Sequence, residues 1–227
     1  MDPSSNNKVL LIHKPYQWTS FDVVNKLRYL LKIKKIGHAG TLDPLATGLL
    51  IICTGNKTKE IEHFMGLEKE YTGTLVLGKA TPSHDLETPI TEVLDCSHIL
   101  QEDILKAMAT FLGDIDQVPP QHSAIKVNGK RAYALARTGK TQELKSRKVH
   151  IATMELLRFE NPEVDFKIVC SKGTYIRSLV RDIGITLQVG AHLKSLCRTK
   201  IGTYSLEQAQ TLDELKHSLQ HEDLPRP

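Results

Sequence analysis

The residues best suited to chemistry lie in the run GHAGTLDPLATG, residues 37–48. It places one carboxylate, Asp43, in a turn rich in glycine and threonine, just before the apolar run Leu49–Cys53. Glycines allow a bulky substrate to approach the backbone closely, and threonine hydroxyls and backbone N–H groups can donate to a carboxylate. Such a mount suits a nucleophile or a general base. The competing interpretation is structural, because Asp43-Pro44 is also a common turn pair and Thr41 a common helix cap.

The elements that must position this turn follow from the hydrophobic pattern around it. Lys8–His13 predicts a buried strand, and Leu49–Cys53 predicts a second strand immediately after the turn. Between them, Thr19 or Ser20 can cap a helix. The apolar residues of this helix recur at helical spacing: Phe21, Val24, Leu27 and Leu31.

The rest of the chain alternates strands that pair through turns with irregularly spaced helices, which predicts an α+β fold with a mixed, mostly antiparallel central sheet flanked by helices. The predicted strands are Tyr71–Leu77, Arg147–Phe159, Val164–Cys170 and Ala191–Thr203, and the predicted helices are Lys57–Met65, Asp103–Leu112, Thr174–Leu187 and Leu212–Leu219. Residues 118–150 are interpreted as an insertion with a turn at Asn128-Gly129 and a short helix at Ala132–Arg137. An insertion of this length is more often functional than idle.

Composition excludes several classes of protein. The 227 residues contain no apolar run near the roughly 18 that span a bilayer, and the polar N-terminus lacks a signal-peptide core. The four cysteines have no close pairing, which predicts reduced thiols in a cytoplasmic protein. The ten histidines lack ligand spacing, so no metal is expected. Neither a GxGxxG run nor a P-loop is present, and no cofactor is expected.

Positive charge is concentrated in two segments, although the net charge is only +4. One segment precedes the Asp43 turn and holds Lys26, Arg28, Lys32, Lys34 and Lys35. The other lies in the insertion and includes Lys126, Lys130 and Arg131. A single basic cluster is often only a solvated surface, but two clusters flanking a candidate active site favour a polyanionic substrate.

Several blocks of the sequence, in order, resemble the tRNA pseudouridine synthase B family. GHAGTLDPLATGLL resembles the family's signature, KEYTGTLVLG its second block and PPQHSAIKVNGKRAYALARTG its RNA-gripping insertion. CSKGTYIRSLVRDIG and GAHLKSLCRTKIG resemble the last two catalytic blocks. The likeness runs from about residue 8 to about residue 215. It implies the pseudouridine synthase fold and an enzyme that isomerises uridine 55 in the T-arm of tRNA.

The resemblance assigns the reaction to three side chains. Asp43 matches the catalytic aspartate, which adds to the base, adds to the sugar or abstracts a sugar proton. Arg177 matches the arginine that pairs with this aspartate, and a buried arginine would keep the carboxylate ionised in an apolar pocket. Periodicity alone places Arg177 on the outer face of its helix. Tyr71 matches the tyrosine that stacks on the target base.

The resemblance also implies a set of substrate-binding residues. Tyr175 and Leu196 match residues that complete the pocket, His38 matches the residue that helps hold the RNA loop open, and Asp85 matches a sugar-backbone contact. A uridine inside a folded arm must be extruded before it can react. The cationic residues expected to contact phosphates are Lys59, Lys126, Lys130 and Arg131.

Two departures from the family pattern are present. The usual Thr-x-Thr-x-Asp-x-x-Gly run has Ser83 in place of its second threonine and Thr88 in place of its glycine, while Asp85 is retained. Cys197 stands where an arginine is common after the Leu196 position.

The expected organisation is a flexible N-terminus at 1–7, a catalytic domain at 8–215 and a charged tail at 216–227 without a complete PUA domain. The expected partner is tRNA, with the protein a monomer that uses neither membrane nor metal. Three alternatives remain: a glycosidase or glycosylase, a non-catalytic T-arm-binding module and a guide-RNA-dependent relative. Glycoside hydrolysis usually needs two carboxylates, and a pure binder does not need a buried one.

Overall fold

The computed structural model describes residues 6–123, 126–127, 130–131, 133 and 142–222. In chain order the elements are β1 (Val9–Lys14), α1 (Ser20–Leu31), β2 (Ile36–His38), β3 (Thr47–Thr54), a 3₁₀-helix (Gly55–Glu60), α2 (Ile61–Gly66), β4 (Lys69–Leu77), β5 (Lys79–Ala80), β6 (Glu92–Val93), α3 (Gln101–Ala109), β7 (Gly113–Gln117), β8 (Lys126–Val127), β9 (Lys130–Arg131), β10 (Arg147–Glu160), β11 (Glu163–Cys170), α4 (Ile176–Thr186), β12 (Ala191–Ile201), β13 (Tyr204–Ser205), a second 3₁₀-helix (Leu206–Gln208) and α5 (Leu212–Glu222).

The chain divides into two compact units. The first contains the residues up to Tyr71 and those from Leu196 onward, and the second contains Thr72–Ser195. The boundaries fall inside β4 and β12, so each of these strands contributes residues to both units.

Strand β3 is the centre of the first unit. It pairs antiparallel with β1 and β2 and parallel with β12, and every residue from Gly48 to Thr54 is buried. Successive side chains of a strand point to opposite faces. On one face Leu50 and Ile52 pack in a cluster with residues of α1 and α5, and on the other Leu49, Ile51 and Cys53 pack with α2 and β12. A strand covered on both faces explains the uninterrupted apolar run.

Helix α1 begins with a complete capping box. The Thr19 hydroxyl accepts from the Asp22 N–H at 3.0 Å, and the Asp22 carboxylate accepts from the Thr19 N–H at 2.9 Å. The predicted cap at Thr19 is thus confirmed. The predicted apolar face is wrong at Phe21, which is 58% exposed, because the helix turns Val23, Val24 and Leu27 toward β3 instead.

The second unit is built on strands β4, β11, β10 and β7, in that order. β10 pairs antiparallel with both β11 and β7, and the predicted strand pair around the Asn161-Pro162 turn is confirmed with bounds shifted by about one residue. The buried residues of β11, Val164, Phe166, Ile168 and Cys170, alternate along the strand. Helix α4 buries Leu179 and Ile183 among its apolar residues.

Within the predicted insertion, β8 and β9 pair antiparallel. The Gln121 side-chain amide donates to the Gln142 carbonyl at 2.6 Å and accepts from the Gln142 N–H at 3.2 Å. The predicted turn at 128–129 and most of the predicted helix at 132–137 lie outside the described residues. So do most of the N-terminal segment 1–7 and the last five residues of the tail.

Among the described residues, β3 pairs antiparallel with β1 and β2, and β10 pairs antiparallel with β7 and β11, whereas β3 and β12 are parallel. These pairs agree with the predicted α+β class and its mixed, mostly antiparallel sheet. Across the part of the chain that the structure describes, no helix is both long enough and apolar enough to cross a membrane.

Candidate active site

Asp43 opens a tight turn in the first unit. Its carbonyl accepts from the Ala46 N–H at 3.1 Å, and Pro44 occupies the second position of the turn, where its fixed φ is favourable. The glycines on either side, Gly40 and Gly48, have φ values of +101° and +108°. L side chains rarely adopt such values, so these positions of the signature need glycine.

Two side chains from outside the turn hold the chain on either side of Asp43. The Ser20 hydroxyl accepts from the Leu42 N–H at 2.9 Å and donates to the Leu42 carbonyl at 3.2 Å. The Lys14 ammonium donates to the Pro44 carbonyl at 3.2 Å. The residues before and after the carboxylate are therefore each fixed to another element, the start of α1 and the end of β1.

Lys14 is a fully buried cation beside the turn. Besides Pro44, its ammonium donates to the carbonyls of Pro15 and Trp18. Burial lowers the pKa of Lys14 to about 8, the negative charge of Asp43 opposes this shift, and the positive charge of Arg198 reinforces it. The opposing effect of Asp43 places the carboxylate within the electrostatic reach of this lysine.

Arg198 is a second buried cation next to the turn. From β12, its guanidinium donates to the Leu49 carbonyl at 2.8 Å and to the Gly40 carbonyl at 3.2 Å, which ties together the two sides of the Asp43 turn. Gly48 packs directly on the Arg198 backbone, and a Cβ there would lie 2.3 Å from the Arg198 carbonyl oxygen.

Neither Lys14 nor Arg198 was among the residues predicted from the sequence. The available signal was a charged residue inside or next to an apolar strand: Lys14 follows the predicted strand Lys8–His13, and Arg198 lies within Ala191–Thr203. Cys197 occupies the position directly after Leu196, where an arginine is common in the family, but Arg198 follows it immediately.

His38 and Lys59 also lie in the first unit. His38 is half-buried on β2, and burial together with the charge of Arg198 lowers the pKa of its imidazole, while the Gly40 backbone opposes the shift. A neutral, flat ring is suited to stacking on a base. Lys59 is exposed in the 3₁₀-helix after β3, where a phosphate can reach it.

Tyr71 and Leu196 are nearly buried residues of β4 and β12. The Leu196 carbonyl accepts from the Thr47 hydroxyl at 3.5 Å, and the next residue, Cys197, pairs with Thr47 across the parallel strands. The backbone of Leu196 is thereby fixed to the end of the signature run.

Arg177 is buried in the second unit, with 3% of its surface exposed. Its Nε lies 3.6 Å from the Asp85 carboxylate, and its Nη atoms donate to the carbonyls of Ser83 at 3.2 Å and His122 at 2.9 Å. Periodicity placed Arg177 on the outer face of its helix, and this is wrong. It belongs to the first turn of α4, where the residues from Ile176 to Val180 are all buried.

Ser83 and Thr88, the two residues that depart from the family pattern in this loop, bond to each other. The two hydroxyls are 2.8 Å apart, the Ser83 N–H donates to the Thr88 hydroxyl at 3.0 Å, and the Thr88 N–H donates to the Ser83 hydroxyl at 3.2 Å. The loop between them holds Asp85, whose carboxylate accepts from the Glu87 N–H at 2.9 Å. The loop is therefore closed by this reciprocal pair, with Asp85 directed toward Arg177.

His84, inside the same loop, has a left-handed backbone with φ of 61°. Burial is the main cause that lowers the pKa of His84 to about 4, and the charges of Arg181, Arg177 and His122 act in the same direction. The imidazole is therefore neutral at pH 7.

Tyr175 precedes α4 and is held by Gln117 at the end of β7. The Gln117 amide accepts from the Tyr175 N–H at 2.8 Å and donates to the Tyr175 carbonyl at 3.1 Å. The guanidinium carbon of Arg147 lies 4.5 Å from the centre of the Tyr175 ring, within cation–π distance. One face of this aromatic ring is thus already covered by a cation.

The structure brings predicted residues together inside each unit: in the first, His38 and the turn that holds Asp43 both lie beside Arg198, and in the second, Asp85 lies beside Arg177. The backbones of Lys126, Lys130 and Arg131 lie in β8 and β9. Among the described residues, no group of three or more histidine, cysteine, aspartate and glutamate side chains could hold a metal ion.

Comparison with protein-family models matches almost the whole chain. Residues 28–176 match the "TruB family pseudouridylate synthase (N terminal domain)", and residues 177–226 match the "tRNA pseudouridylate synthase B C-terminal domain". The chain is 52% identical over 220 residues to tRNA pseudouridine synthase B of Flavobacterium johnsoniae, covering 94% of this chain and 96% of that protein. It is 51% identical over 219 residues to the protein of the same name from Parabacteroides distasonis, covering 94% and 93%.

Solved structures support the same assignment. The chain aligns with a chain of a Cbf5-Nop10-Gar1 complex at a TM-score of 0.77 and 27% identity, covering 99% of this chain and 60% of that one. A chain of an H/ACA RNP bound to a substrate RNA containing 2′-deoxyuridine aligns at a TM-score of 0.72 and 26% identity. That alignment covers 96% of this chain and 56% of the other, so this chain spans less than two thirds of either structure's chain. With both family models matched and half of its residues identical to curated relatives along nearly their full length, the chain belongs to the TruB family of pseudouridylate synthases.

Proposed function

We propose that this chain is a stand-alone tRNA pseudouridine synthase that isomerises uridine 55 of the T-arm, with Asp43 as its catalytic nucleophile. The observation that carries the proposal is the Asp43 turn, held by Ser20, Lys14 and Arg198 in a chain half identical to curated tRNA pseudouridine synthase B proteins. Such a mount keeps a carboxylate in one position, which is what a nucleophile needs.

The reaction is an isomerisation without any co-reactant. The bond between N1 of uracil and C1′ of ribose breaks, the base rotates, and a bond forms between C5 and C1′. The proton on C5 leaves to solvent, and N1 ends protonated, so atoms and electrons balance. Asp43 must be ionised to act as the nucleophile, and the nearby positive charge of Lys14 favours the ionised form.

Arg177 completes the proposed catalytic group. The guanidinium has the rigid, buried mount of a catalytic cation, because two carbonyls and the Asp85 carboxylate fix its orientation. The proposed pairing of Arg177 with Asp43 comes from the family resemblance. In this scheme Asp85 positions the arginine, which gives it a role beyond the sugar contact predicted from the sequence.

The remaining predicted residues would bind and extrude the nucleotide. We assign the base-stacking surface to Tyr71, with Tyr175 and Leu196 completing the pocket and His38 occupying the space that the flipped nucleotide leaves. The phosphate contacts are assigned to Lys59, Lys126, Lys130 and Arg131. Phosphate contacts position RNA without reading its sequence, so the shape of the T-arm would provide specificity.

The stand-alone enzyme is favoured over a guide-RNA-dependent relative by the degree of similarity. Identity to curated tRNA pseudouridine synthase B proteins is near 50%, whereas identity to the solved Cbf5 chain is 27%. The four free cysteines fit a reducing compartment, which supports the proposed cytoplasmic location. The proposal includes a monomer acting on tRNA alone.

Mapping the modified nucleotide tests this assignment. Wild-type protein is incubated with an unmodified tRNA transcript, and pseudouridine is located by carbodiimide treatment and reverse transcription. A stop at position 55, lost in a transcript with cytidine at that position, is the expected result. A stop elsewhere, or none with the isolated protein, would contradict the proposed substrate.

A further inference from the structure

We propose that the outer end of α1 is a second RNA-binding surface, a groove that contacts the substrate tRNA away from the reacting nucleotide. The groove has a volume of about 480 Å³ and is lined by Arg28, Tyr29, Leu30, Lys32, Ile33 and Lys34. This inference rests on the proposed function for the identity of its ligand, and none of these residues takes part in the site described above.

The helix exposes an aromatic and cationic stripe along one side. The stripe is formed by residues that are three or four positions apart and therefore share a face of the helix: Phe21, Asn25, Arg28 and Lys32, with Tyr29 beside Arg28. Tyr29 is 80% exposed, which is unusual for so large a ring. The buried face of α1, with Val23, Val24 and Leu27, points the other way.

Contacts with neighbouring side chains of the stripe hold the Arg28 guanidinium in place. The guanidinium of Arg28 lies 5.9 Å from the centre of the Phe21 ring, and its Nη1 donates to the Asn25 side chain at 2.6 Å. Lys32 ends the helix in a left-handed conformation, φ 54°, and turns the chain so that Lys34 and Lys35 follow on the surface. Asp22 is the single acidic residue between Ser20 and Ile36, and it is engaged in the capping box at the other end of the helix.

The chemistry of the groove matches single-stranded or looped RNA. Such RNA is bound by cationic grooves that follow the phosphates and by exposed aromatic rings on which bases stack. Tyr29 provides the ring, and Arg28, Lys32 and Lys34 provide the charges. An acidic protein segment would use the charges but would leave the exposed ring without a specific role.

The position of the groove separates it from the reaction. Ser20, at the start of α1, contacts Leu42 next to Asp43. The helix then runs for 12 residues, or about 18 Å at a rise of about 1.5 Å per residue, before it reaches Lys32. The groove is thus too far away to hold the nucleotide that reacts at Asp43, and it would bind a neighbouring part of the same RNA.

The test compares a groove variant with a matched control. The variant carries Tyr29→Ala, Lys32→Ala and Lys34→Ala, and the control carries Lys106→Ala and Lys216→Ala, which remove two exposed lysines from α3 and α5. Binding of an unmodified tRNA transcript is measured by filter binding at several salt concentrations, and turnover is measured separately. Tyr29→Phe is added as a variant that keeps the ring.

We expect the groove variant to raise the Kd for tRNA at least ten-fold with kcat unchanged. Because two phosphate contacts are lost, the slope of log K against log salt should become shallower by about 1.4–1.8. Tyr29→Phe and the control should stay within two-fold of wild type. A Lys34→Glu variant, outside the helix, repeats the test if the triple variant does not fold.

An unchanged Kd and salt slope in a folded groove variant would overturn the assignment to RNA and leave the surface to an acidic protein. An equal weakening in the Lys106 and Lys216 control would overturn it as well, because the effect would then be one of net charge. A wild-type protein that binds tRNA without forming pseudouridine would instead count against the proposed function, since binding is measured independently of turnover.

Discussion

At the scale of single residues, the position of Asp43 depends on groups that are distant in the sequence. Ser20 holds Leu42, Lys14 holds Pro44, and Arg198 holds Gly40 and Leu49. These three side chains donate mostly to backbone carbonyls, so they fix the course of the chain while the carboxylate of Asp43 remains the group that acts on substrate in our scheme.

Ser20→Ala should lower kcat about 10- to 100-fold, because the Leu42 backbone loses both of its bonds to the hydroxyl and a displacement near 1 Å at a reacting group can cost about 100-fold. Affinity for tRNA should change less than three-fold. Single-turnover kinetics separate the two quantities. Ser218→Ala, which removes an exposed hydroxyl bonded to Glu214, is the control. Equal kcat values for the two variants would show that the hydrogen bonds between Ser20 and Leu42 do not contribute to catalysis.

His84 should make the protein sensitive to mild acid. Its pKa is about 4 in the folded protein, against 6.5 for a free histidine. A lowered pKa means that the unfolded chain takes up the proton first, so stability is complete above pH 6.5 and is lost as the pH falls from 6.5 to 4. The loss from this group is at most about 3 kcal/mol.

The variant His84→Asn tests the predicted loss of stability in acid, because asparagine does not titrate and tolerates the left-handed backbone at this position. Urea unfolding from pH 7 to pH 4 should show a smaller loss of stability in this variant than in wild type. His63→Asn, at an exposed histidine, should follow wild type. Parallel curves for all three proteins would contradict the burial of a neutral His84.

The residue scale is also where sequence reasoning was weakest. Arg177 looked like a surface residue by periodicity, because that rule assumes one exposed face and the first turn of α4 has none. Lys14 and Arg198 could not be identified as buried from their own segments: Pro44, one of the acceptors of Lys14, lies 30 positions away, and Leu49, an acceptor of Arg198, lies 149 positions away. Such pairings exist only in the folded chain.

At the scale of elements, more of the structure could be predicted from the sequence than at the scale of single residues. The cap of α1, the strand after the signature and the strand pair around Asn161-Pro162 are local features, encoded by a capping threonine, an apolar run and a turn pair. The outward turn of Phe21 was missed because a helix of this length can rotate slightly about its axis, and the contacts of Val23 and Val24 in the core decide the rotation.

The close packing of β3 on β12 gives an element-scale prediction. Gly48→Ala would place a Cβ 2.3 Å from the Arg198 carbonyl oxygen and 2.6 Å from its nitrogen, at a φ of +108°. Both atoms are backbone and cannot move without separating the strands. We expect a loss of about 3 kcal/mol or more, seen as a fall of about 6–12 °C in Tm.

Gly66→Ala is the matched control for this substitution. No atom lies within 4 Å of the added Cβ, and its φ lies outside the left-handed region. Its Tm should stay close to wild type or rise slightly, because alanine restricts the unfolded chain. A Gly48→Ala protein as stable as Gly66→Ala would mean that the two strands are not in contact at this position.

At the scale of the whole molecule, the chain forms two compact units, and each contains some of the predicted site residues. The first provides the Asp43 turn with its buried cations, and the second provides Arg177, Asp85 and Tyr175 on rigid mounts. The family resemblance, rather than periodicity or composition, predicted that these residues act together. The net charge of +4 alone does not predict RNA binding, whereas the clustering of positive charge near α1 and in the insertion favours a polyanionic substrate.

The central claim is that Asp43 performs the isomerisation of tRNA. The most direct measurement is release of tritium from a tRNA transcript labelled at uracil C5, with wild type beside Asp43→Asn and with the Kd of both proteins for the same transcript. We predict release by wild type, none by Asp43→Asn and Kd values within a few-fold of each other. Release by Asp43→Asn at the wild-type rate, or a loss of binding as large as the loss of activity, would contradict the claim.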